Sequence, residues 1–225
     1  MALLSGPSLM PAKGAPTHLV VLLHGHGADG DDLIGLASHW QARLPSTAFV
    51  APHAPDRVPG APNGFQWFAL TNRDPHEMHY GVESASASLS GFIASELKRL
   101  NIPPKNLALV GFSQGTMVAL QLGLKGGAVT PACIVGFSGL LAAAPPPGEM
   151  PVLLTHGAAD QVIPASAMLE AANGLAAAGH SVQWHLALNM GHSIDQAGLE
   201  MAGEFIEMAF AGKLARPGPL HSLLR

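Results

Sequence analysis

The stretch that decides the fold is Leu107-Ala-Leu-Val-Gly-Phe-Ser-Gln-Gly-Thr-Met-Val-Ala-Leu-Gln-Leu122. Its first four residues form an apolar run typical of a buried strand, and the residues after Gly115 have the pattern of a helix. Between them lies a glycine-x-serine-x-glycine pentapeptide centred on Ser113. The pentapeptide alone is a weak signal. A strand before it and a helix after it, however, are the setting of a nucleophile elbow, the sharp turn that presents a reactive serine.

The two glycines of the pentapeptide have a steric role. A side chain at Gly111 or Gly115 would collide with the neighbouring strand or helix, while Ser113 itself is held in a strained conformation. The backbone N–H of Gln114, at the start of the helix, can then face a developing oxyanion. A near copy around Ser138 lacks the glycine two residues after its serine and leads into a proline-rich loop. We therefore predict that Ser113 is the nucleophile and that Ser138 is structural.

Outward from this stretch, short apolar runs alternate with segments of helical period, which predicts an α/β fold with a mostly parallel central sheet flanked by helices. Six strands are predicted, at residues 19–23, 48–51, 107–110, 133–136, 152–155 and 182–188. Two segments, 52–79 and 142–151, are rich in proline or glycine and are predicted to be loops. The first is unusually long for a compact domain, so we expect it to form a wall of a substrate groove.

Composition favours a single α/β domain over residues 1–225, with 1–16 as an N-terminal extension or edge strand and 212–225 as a tail. Hydrophobic residues make up 48% of the chain and charged residues 12%. With 11 Lys and Arg against 15 Asp and Glu, there is no basic stripe for nucleic acid. No run approaches the roughly 18 apolar residues of a membrane span, and the N-terminus does not resemble a signal peptide. We expect no stable membrane insertion, a cytoplasmic location, and burial of the single cysteine, Cys133.

The partners of the serine follow by elimination. In a fold of this kind the acid and then the histidine come after the serine, on loops at the carboxyl ends of parallel strands. His180 precedes the last predicted strand, His185 lies within it and His221 is in the tail, so His192 is the histidine on an eligible loop. We expect the adjacent Gly191 to allow tight placement of its imidazole.

The acid is identified in the same way. Three acidic residues lie between Ser113 and His192. Glu149 precedes its strand and Glu170 falls inside a helical pattern, whereas Asp160 follows the strand at 152–155 on the expected loop. The ordered set of Ser113, Asp160 and His192 therefore predicts a catalytic triad.

The segment from His24 to Gly30 admits three interpretations. It contains Gly-x-Gly-x-x-Gly, but acidic residues crowd the helix start where a pyrophosphate would bind, which argues against a dinucleotide site. His24 and His26 also resemble the start of a metallohydrolase motif, although the later ligands of that motif are missing. We favour the third interpretation, in which the backbone N–H of His26 is a second oxyanion donor and His24 is a structural hydrogen-bonder.

Five motifs together resemble the phospholipase/carboxylesterase family, which includes acyl-protein thioesterases; they are Leu23–Gly30, Trp67-Phe68, Gly111–Gly115, His156–Pro164 and Gly191–Ile194. The resemblance implies a lidless α/β-hydrolase domain that cleaves esters or thioesters without a metal or other cofactor. It supports Ser113, Asp160 and His192 as the triad, with the N–H groups of His26 and Gln114 as oxyanion donors.

The chain departs from the family at three positions, which puts the family's pocket shape in doubt. His26 stands where the family often has an apolar or aromatic residue, Thr116 where it has a small one, and Ala69 where an acid is frequent. Because the contribution expected of His26 is a backbone N–H, the first change leaves the expected catalysis intact. The family's acyl-chain preference is not carried over.

The predicted function is that of a serine carboxylic-ester hydrolase acting on small carboxylic esters, lysophospholipids or acyl thioesters through an acyl-enzyme intermediate. The residues expected to line its acyl pocket, chosen for their loop positions, are Trp67, Phe68, Leu70, Val162 and Ile163. Two alternatives stay open: a metal-dependent hydrolase that uses the His24/His26 segment, and a non-catalytic binding protein of the same fold. The sequence also leaves open whether the chain forms a homodimer.

Overall fold

The computed structural model describes residues 4–72, 74–214 and 221–222. Its strands are β1 (Ser8–Leu9), β2 (His18–Leu23), β3 (Thr47–Val50), β4 (Asp56–Val58), β5 (Ala61–Gln66), β6 (Leu107–Phe112), β7 (Cys133–Phe137), β8 (Pro151–Gly157), β9 (Ser181–Ala187) and β10 (His221–Ser222). Its α-helices are α1 (Gly30–Ile34), α2 (Leu36–Trp40), α3 (Pro75–Leu100), α4 (Gln114–Lys125), α5 (Ala165–Ala177) and α6 (Gln196–Phe210), and a short 3₁₀ helix spans Pro104–Asn106.

Among the residues that the structure describes, eight strands form one sheet in the order β1-β3-β2-β6-β7-β8-β9-β10, and β4 and β5 form a separate hairpin. β1 is antiparallel to β3, and the other neighbours in the large sheet are parallel. The predicted α/β fold with a mostly parallel central sheet is thereby confirmed. All six predicted strands are present, with ends that differ from the predicted ones by two residues at most.

The central strands β2, β6 and β7 are almost entirely apolar because helices cover both faces of the sheet. In β2, Leu19, Val21 and Leu23 pack into the core that includes α3, α4 and α5, whereas Val20 and Leu22 pack into the core that includes α1, α2 and α6. All five side chains are fully buried. Burial of one such side chain stabilises the fold by roughly 1.5–3 kcal/mol, so the centre of the sheet is a rigid base for the loops at its ends.

The helices change sides of the sheet between β2 and β6. The chain leaving β2 enters α1 and α2 on one face, whereas the chain leaving the neighbouring β6 enters α4 on the other. In open α/β sheets, a crevice forms where adjacent strands diverge in this way, outside their carboxyl ends. The loops that follow β2 and β6 therefore meet at one crevice.

The segment 52–79 is not the irregular loop that the sequence predicted. It contains the β4–β5 hairpin, and α3 begins at Pro75. Asp74 caps α3 by accepting the backbone N–H of Glu77 at 2.8 Å. An acidic cap followed by proline is a standard helix start, and the density of proline and glycine before it concealed that signal. The second predicted loop, 142–151, is irregular until Pro151 begins β8.

The two ends of the chain contribute edge strands. β1 lies in the predicted N-terminal extension, and β10 lies in the predicted tail, the rest of which falls outside the described residues from 215 onward apart from 221–222. Cys133 is fully buried in β7, and burial raises the pKa of its thiol. Within the described ranges, no helix has the length and apolarity needed to cross a bilayer.

Candidate active site

Ser113 occupies the turn between β6 and α4, with φ +53° and ψ −115°. This backbone conformation is strained for a residue other than glycine. A Cβ on Gly111 would run into the backbone of Gly115 and Thr116, and a Cβ on Gly115 would run into the carbonyl group of Leu23. The steric expectation for both glycines is met. The strained turn is possible because neither glycine has a side chain.

Thr116, one of the departures from the family, braces this turn. Its hydroxyl lies 2.8 Å from the carbonyl oxygen of Gly111 and 2.9 Å from that of Phe137, and it donates its proton between them. Space for the side chain comes from Gly136 and Gly139, where an added Cβ would collide with Thr116. The glycines of the near copy, Gly136 and Gly139, are therefore explained by packing against the side chain of Thr116.

Asp160 lies on the loop after β8, and both of its carboxylate oxygens are engaged. Oδ1 accepts the backbone N–H groups of Val162 at 2.8 Å and Ile163 at 3.0 Å. Oδ2 lies 2.8 Å from Nδ1 of His192. It also lies 3.1 Å from Nε2 of the fully buried His156, whose N–H points to the carbonyl oxygen of Ile163 at 2.9 Å. The carboxylate is held in one orientation.

The environment of Asp160 favours its ionised form. Burial acts to raise the pKa of Asp160, but the hydrogen bonds from the Ile163 backbone, the His192 ring and the Val162 backbone outweigh it, so the pKa lies below the ordinary aspartate value. An ionised Oδ2 requires a proton on Nδ1 of His192. Nε2 of His192 is then the nitrogen able to accept a proton.

His192 lies on the loop between β9 and α6, and two neighbouring groups hold that loop. Ser138 donates its hydroxyl proton to the carbonyl oxygen of Ser193 at 2.9 Å, which gives the serine of the near copy a structural role. Asp195 caps α6 and lies 3.0 Å from Nε2 of the buried His185. The ring of His192 also lies against Phe112, with ring centroids 5.0 Å apart.

The His192 loop requires a glycine at position 157, whereas Gly191, which was expected to allow tight placement of the imidazole, is under no such steric constraint. A Cβ on Gly191 would have its nearest neighbour at 3.9 Å, in ordinary contact. A Cβ on Gly157 would collide with the backbone oxygens of Met190 and Gly191. Gly157, at the end of β8, must therefore lack a side chain because the loop that carries His192 crosses β8 at this residue.

We expect Gly157→Ala to lower kcat/KM for a p-nitrophenyl ester by about 10²-fold, because displacement of a catalytic group by about 1 Å has an effect of that size. Gly191→Ala is the matched control and should retain activity within about twofold, since nothing obstructs its Cβ. Rates are to be compared for variants with the circular dichroism spectrum of the wild type. Equal losses in the two variants would contradict this account of the loop.

The loop after β2 passes beside the serine. A Cβ on Gly25 would lie 3.3 Å from Cβ of Ser113. The loop is fastened to the hairpin, because Gly27 donates its N–H to the carbonyl oxygen of Phe65 at 2.8 Å and Phe65 donates to that of Ala28 at 2.9 Å. His26 lies between Gly25, which is beside the serine, and Gly27, which is bonded to the hairpin. It lines the same cavity as Ser113.

His24 is a structural hydrogen-bonder, as the sequence predicted. Its Nδ1–H donates to the carbonyl oxygen of Gly25 at 2.7 Å, and its Nε2 accepts the backbone N–H of Ala54 at 2.9 Å. Burial lowers its pKa, against the effect of the bond to Gly25. With both nitrogens engaged, His24 has no lone pair to offer a metal ion, so the metallohydrolase interpretation loses its first ligand.

The acidic residues that follow shape a helix start. Asp29 caps α1, and it forms a reciprocal capping box with Asp32. Among the described residues, Asp29, Asp31 and His53 place potential ligand atoms within 4.8 Å of one another. Helix capping accounts for Asp29, and His53 accepts the backbone N–H of Gly30 at 3.1 Å. The carboxylates occupy the position that a pyrophosphate would need, which agrees with the argument against a dinucleotide site.

A cavity of about 430 Å³ opens beside Ser113 and His192. Its lining residues are His26, Leu70, Met78, Ser113, Gln114, Met117, Leu140, Val162, Ile163, Pro164 and His192. Of the expected pocket residues, Leu70, Val162 and Ile163 are in this set, and Val162 is 59% exposed. The structure therefore brings Ser113, His192, both predicted oxyanion residues and an apolar surface to one cavity, and Asp160 contacts His192 from behind it.

Trp67 and Phe68, which were expected in the pocket, are instead buried in the core. Met78, Met117, Leu140 and Pro164 also line the cavity without having been expected there, although the last three had usable signals in the sequence. Met117 follows Ser113 by one helical turn, Leu140 follows β7 at the same edge of the sheet, and Pro164 follows Ile163 directly. Met117, Leu140 and Pro164 reach the cavity because the helix and loops that carry them lie beside Ser113.

Known proteins resemble the chain in sequence and in structure. A family model described as Phospholipase/Carboxylesterase matches residues 5–210. Esterase YpfH of Escherichia coli is 26% identical over 186 residues, covering 82% of this chain and 79% of that protein. Acyl-protein thioesterase 1 of Schizosaccharomyces pombe is 30% identical over 163 residues, covering 67% and 71%. The crystal structure of esterase PE8 matches with a TM-score of 0.86 at 38% identity, covering 92% of this chain and all of that one.

Proposed function

Because the chain belongs to the phospholipase/carboxylesterase family and is an enzyme that hydrolyses carboxylic esters or thioesters, we propose that it does so through Ser113, His192 and Asp160. The observation that most supports this assignment is the 2.8 Å pairing of Asp160 with Nδ1 of His192, which shares a cavity with the strained Ser113. The pairing leaves Nε2 of His192 as the base for the serine hydroxyl.

The proposed reaction has two halves. Nε2 of His192 takes the hydroxyl proton as Oγ of Ser113 bonds to the acyl carbon, and the N–H groups of His26 and Gln114 stabilise the oxyanion. The bond to the leaving alcohol or thiol then breaks, and His192 returns the proton to that group. Water attacks the acyl-enzyme in the same manner, releasing the carboxylic acid and free Ser113.

The lining and size of the cavity support an acyl group as part of the substrate. Leu70, Met78 and Leu140 give it apolar walls, and a second groove of about 290 Å³ shares Met78 and Leu140 with it. A volume of about 430 Å³ is near the lower end of the roughly 300–1,000 Å³ range of ligand sites. We therefore assign the acyl part of small carboxylic esters, lysophospholipids or acyl thioesters to this surface. A cytoplasmic location stays a prediction.

Pre-steady-state hydrolysis of p-nitrophenyl acetate tests the proposal. An acyl-enzyme intermediate predicts a burst of p-nitrophenol that approaches one equivalent per enzyme molecule, followed by slower turnover. The rate should be unchanged in EDTA. A panel of p-nitrophenyl esters and the corresponding thioesters, from two to sixteen acyl carbons, then identifies the preferred chain length. Turnover that EDTA abolishes would contradict the serine mechanism, and the absence of both burst and turnover would favour a binding protein.

A further inference from the structure

Trp67 is buried with 3% of its surface exposed, and it lies between the two loops that flank the cavity. Its backbone N–H donates to Oε1 of Gln114 at 2.9 Å, and its indole Nε1–H donates to the carbonyl oxygen of His24, also at 2.9 Å. Nε2 of Gln114 completes the connection by donating to the carbonyl oxygen of Phe68 at 2.8 Å. Trp67 thus joins the nucleophile turn to the loop after β2.

These bonds bear on catalysis because the two proposed oxyanion donors lie on different loops. The N–H of Gln114 belongs to the first residue of α4, and the N–H of His26 lies two residues beyond the carbonyl group that Trp67 binds. An oxyanion hole works when both donors lie about 2.7–3.1 Å from the developing charge, and errors of about 0.5 Å matter. Some group must therefore fix the distance between the loops.

We propose that Trp67 is a positioning residue that sets the spacing of the two oxyanion donors. The inference rests on the proposed function, since it requires the N–H groups of His26 and Gln114 to bind the oxyanion. The side chain of Gln114, at the nucleophile turn, also helps to set this spacing because it is bonded to the backbone of Trp67 and Phe68. The indole also packs against the ring of His24, with ring centroids 5.4 Å apart, which holds the carbonyl group of His24 in line with the indole N–H.

The chain contains a matched control for a merely structural role. Trp40 is 2% exposed, and its Nε1–H donates to the carbonyl oxygen of Leu199 at 2.9 Å, in the core on the opposite face of the sheet. Trp67→Phe and Trp40→Phe each remove one indole N–H and part of one buried ring. The two variants should therefore lose similar amounts of thermal stability, but only the first changes the geometry of the site.

The test compares kcat, KM and inhibition by butylboronic acid, whose tetrahedral adduct with Ser113 places an oxygen in the oxyanion hole. For Trp67→Phe we expect kcat for p-nitrophenyl acetate, per active site titrated in the burst, to fall about tenfold, with KM within about twofold. The inhibition constant of butylboronic acid should rise about tenfold in parallel, because it mimics the transition state. Trp40→Phe should leave all three within about twofold of the wild type.

If Trp67→Phe had the same kcat and the same inhibition constant as Trp40→Phe, the proposal would be overturned. The serine mechanism would be unaffected by that result. The serine mechanism itself is tested separately, because it would fail if EDTA abolished turnover of the wild type or if Ser113→Ala kept its activity. Should Trp67→Phe not fold, Gln114→Met provides the second test, because it removes both side-chain bonds to residues 67–68 and keeps its backbone N–H. A wild-type inhibition constant in Gln114→Met would also overturn the proposal.

Discussion

Ser113→Ala should reduce hydrolysis of p-nitrophenyl acetate by about 10⁴-fold or more, and it should abolish labelling by a fluorophosphonate probe. Loss of the nucleophile removes the acyl-enzyme route as a whole, and losses of about 10⁶-fold are known for serine nucleophiles. The stability of the variant should be close to that of the wild type, because no structural hydrogen bond depends on its hydroxyl among those observed for the described residues. Peptide mapping of the labelled wild type should locate the probe on Ser113.

The control is Ser138→Ala. Ser138 lies in the near copy of the motif, has a positive φ of 46° like Ser113, and is fully buried. Its hydroxyl is engaged with the carbonyl oxygen of Ser193, so its removal should cost about 1 kcal/mol of stability and leave the labelling of Ser113 in place. Labelling that persists in Ser113→Ala and disappears in Ser138→Ala would reverse the assignment.

The sheet and the order of the candidate triad could be predicted because both are encoded locally. Buried parallel strands are short apolar runs, and the loops after them are where Ser113, Asp160 and His192 must lie. In contrast, the β4–β5 hairpin is a pair of short strands outside the main sheet with a register shift beside Val58. β4 has only three residues, and β5 begins with Ala61-Pro-Asn-Gly64, residue types that are depleted in strands, so no strand pattern stands out.

What the sequence could not provide is the set of contacts between distant segments. Trp67 resembled a pocket residue because it lies within the predicted loop 52–79, yet its partners lie at residues 24 and 114. Gly157 looked like an ordinary part of its motif, and its role depends on the chain at 190–191 crossing it. Packing of this kind depends on the whole fold. A local sequence pattern can therefore predict that a residue lies near the site, but it does not predict which residues it contacts.

Asp160→Asn should lower kcat by about 10⁴-fold, the loss that the same change causes in a serine protease triad. The reason is that the two carboxylate oxygens of Asp160 have different hydrogen-bond partners. Oδ1 accepts two backbone N–H groups, so the amide oxygen must take that position and the NH₂ group must face His192. A donor there forces Nδ1 of His192 to be an acceptor and moves the ring proton to Nε2. The histidine can then no longer take the proton of Ser113.

The same variant should show a pH-dependent change in stability. The pKa of Asp160 is lower in the folded chain than its ordinary value, so the ionised carboxylate stabilises the fold at pH values above the unfolded pKa, and this contribution is lost as the pH falls through the folded pKa. The difference in unfolding free energy between wild type and Asp160→Asn should therefore be largest at neutral pH and shrink in acid. Urea unfolding at a series of pH values measures it.

Asp195→Asn is the matched control, because Asp195 has the same kind of environment outside the triad. One oxygen accepts the backbone N–H of Gly198 at 3.1 Å, and the other lies 3.0 Å from Nε2 of His185. Since this pair holds the α6 end of the His192 loop and is not bonded to the ring of His192 itself, we expect a stability loss of about 1 kcal/mol and a fall in kcat of less than about tenfold. If both variants lost activity equally, Asp160 would be a structural carboxylate, and the acid of the triad would have to be sought elsewhere on the same sheet edge.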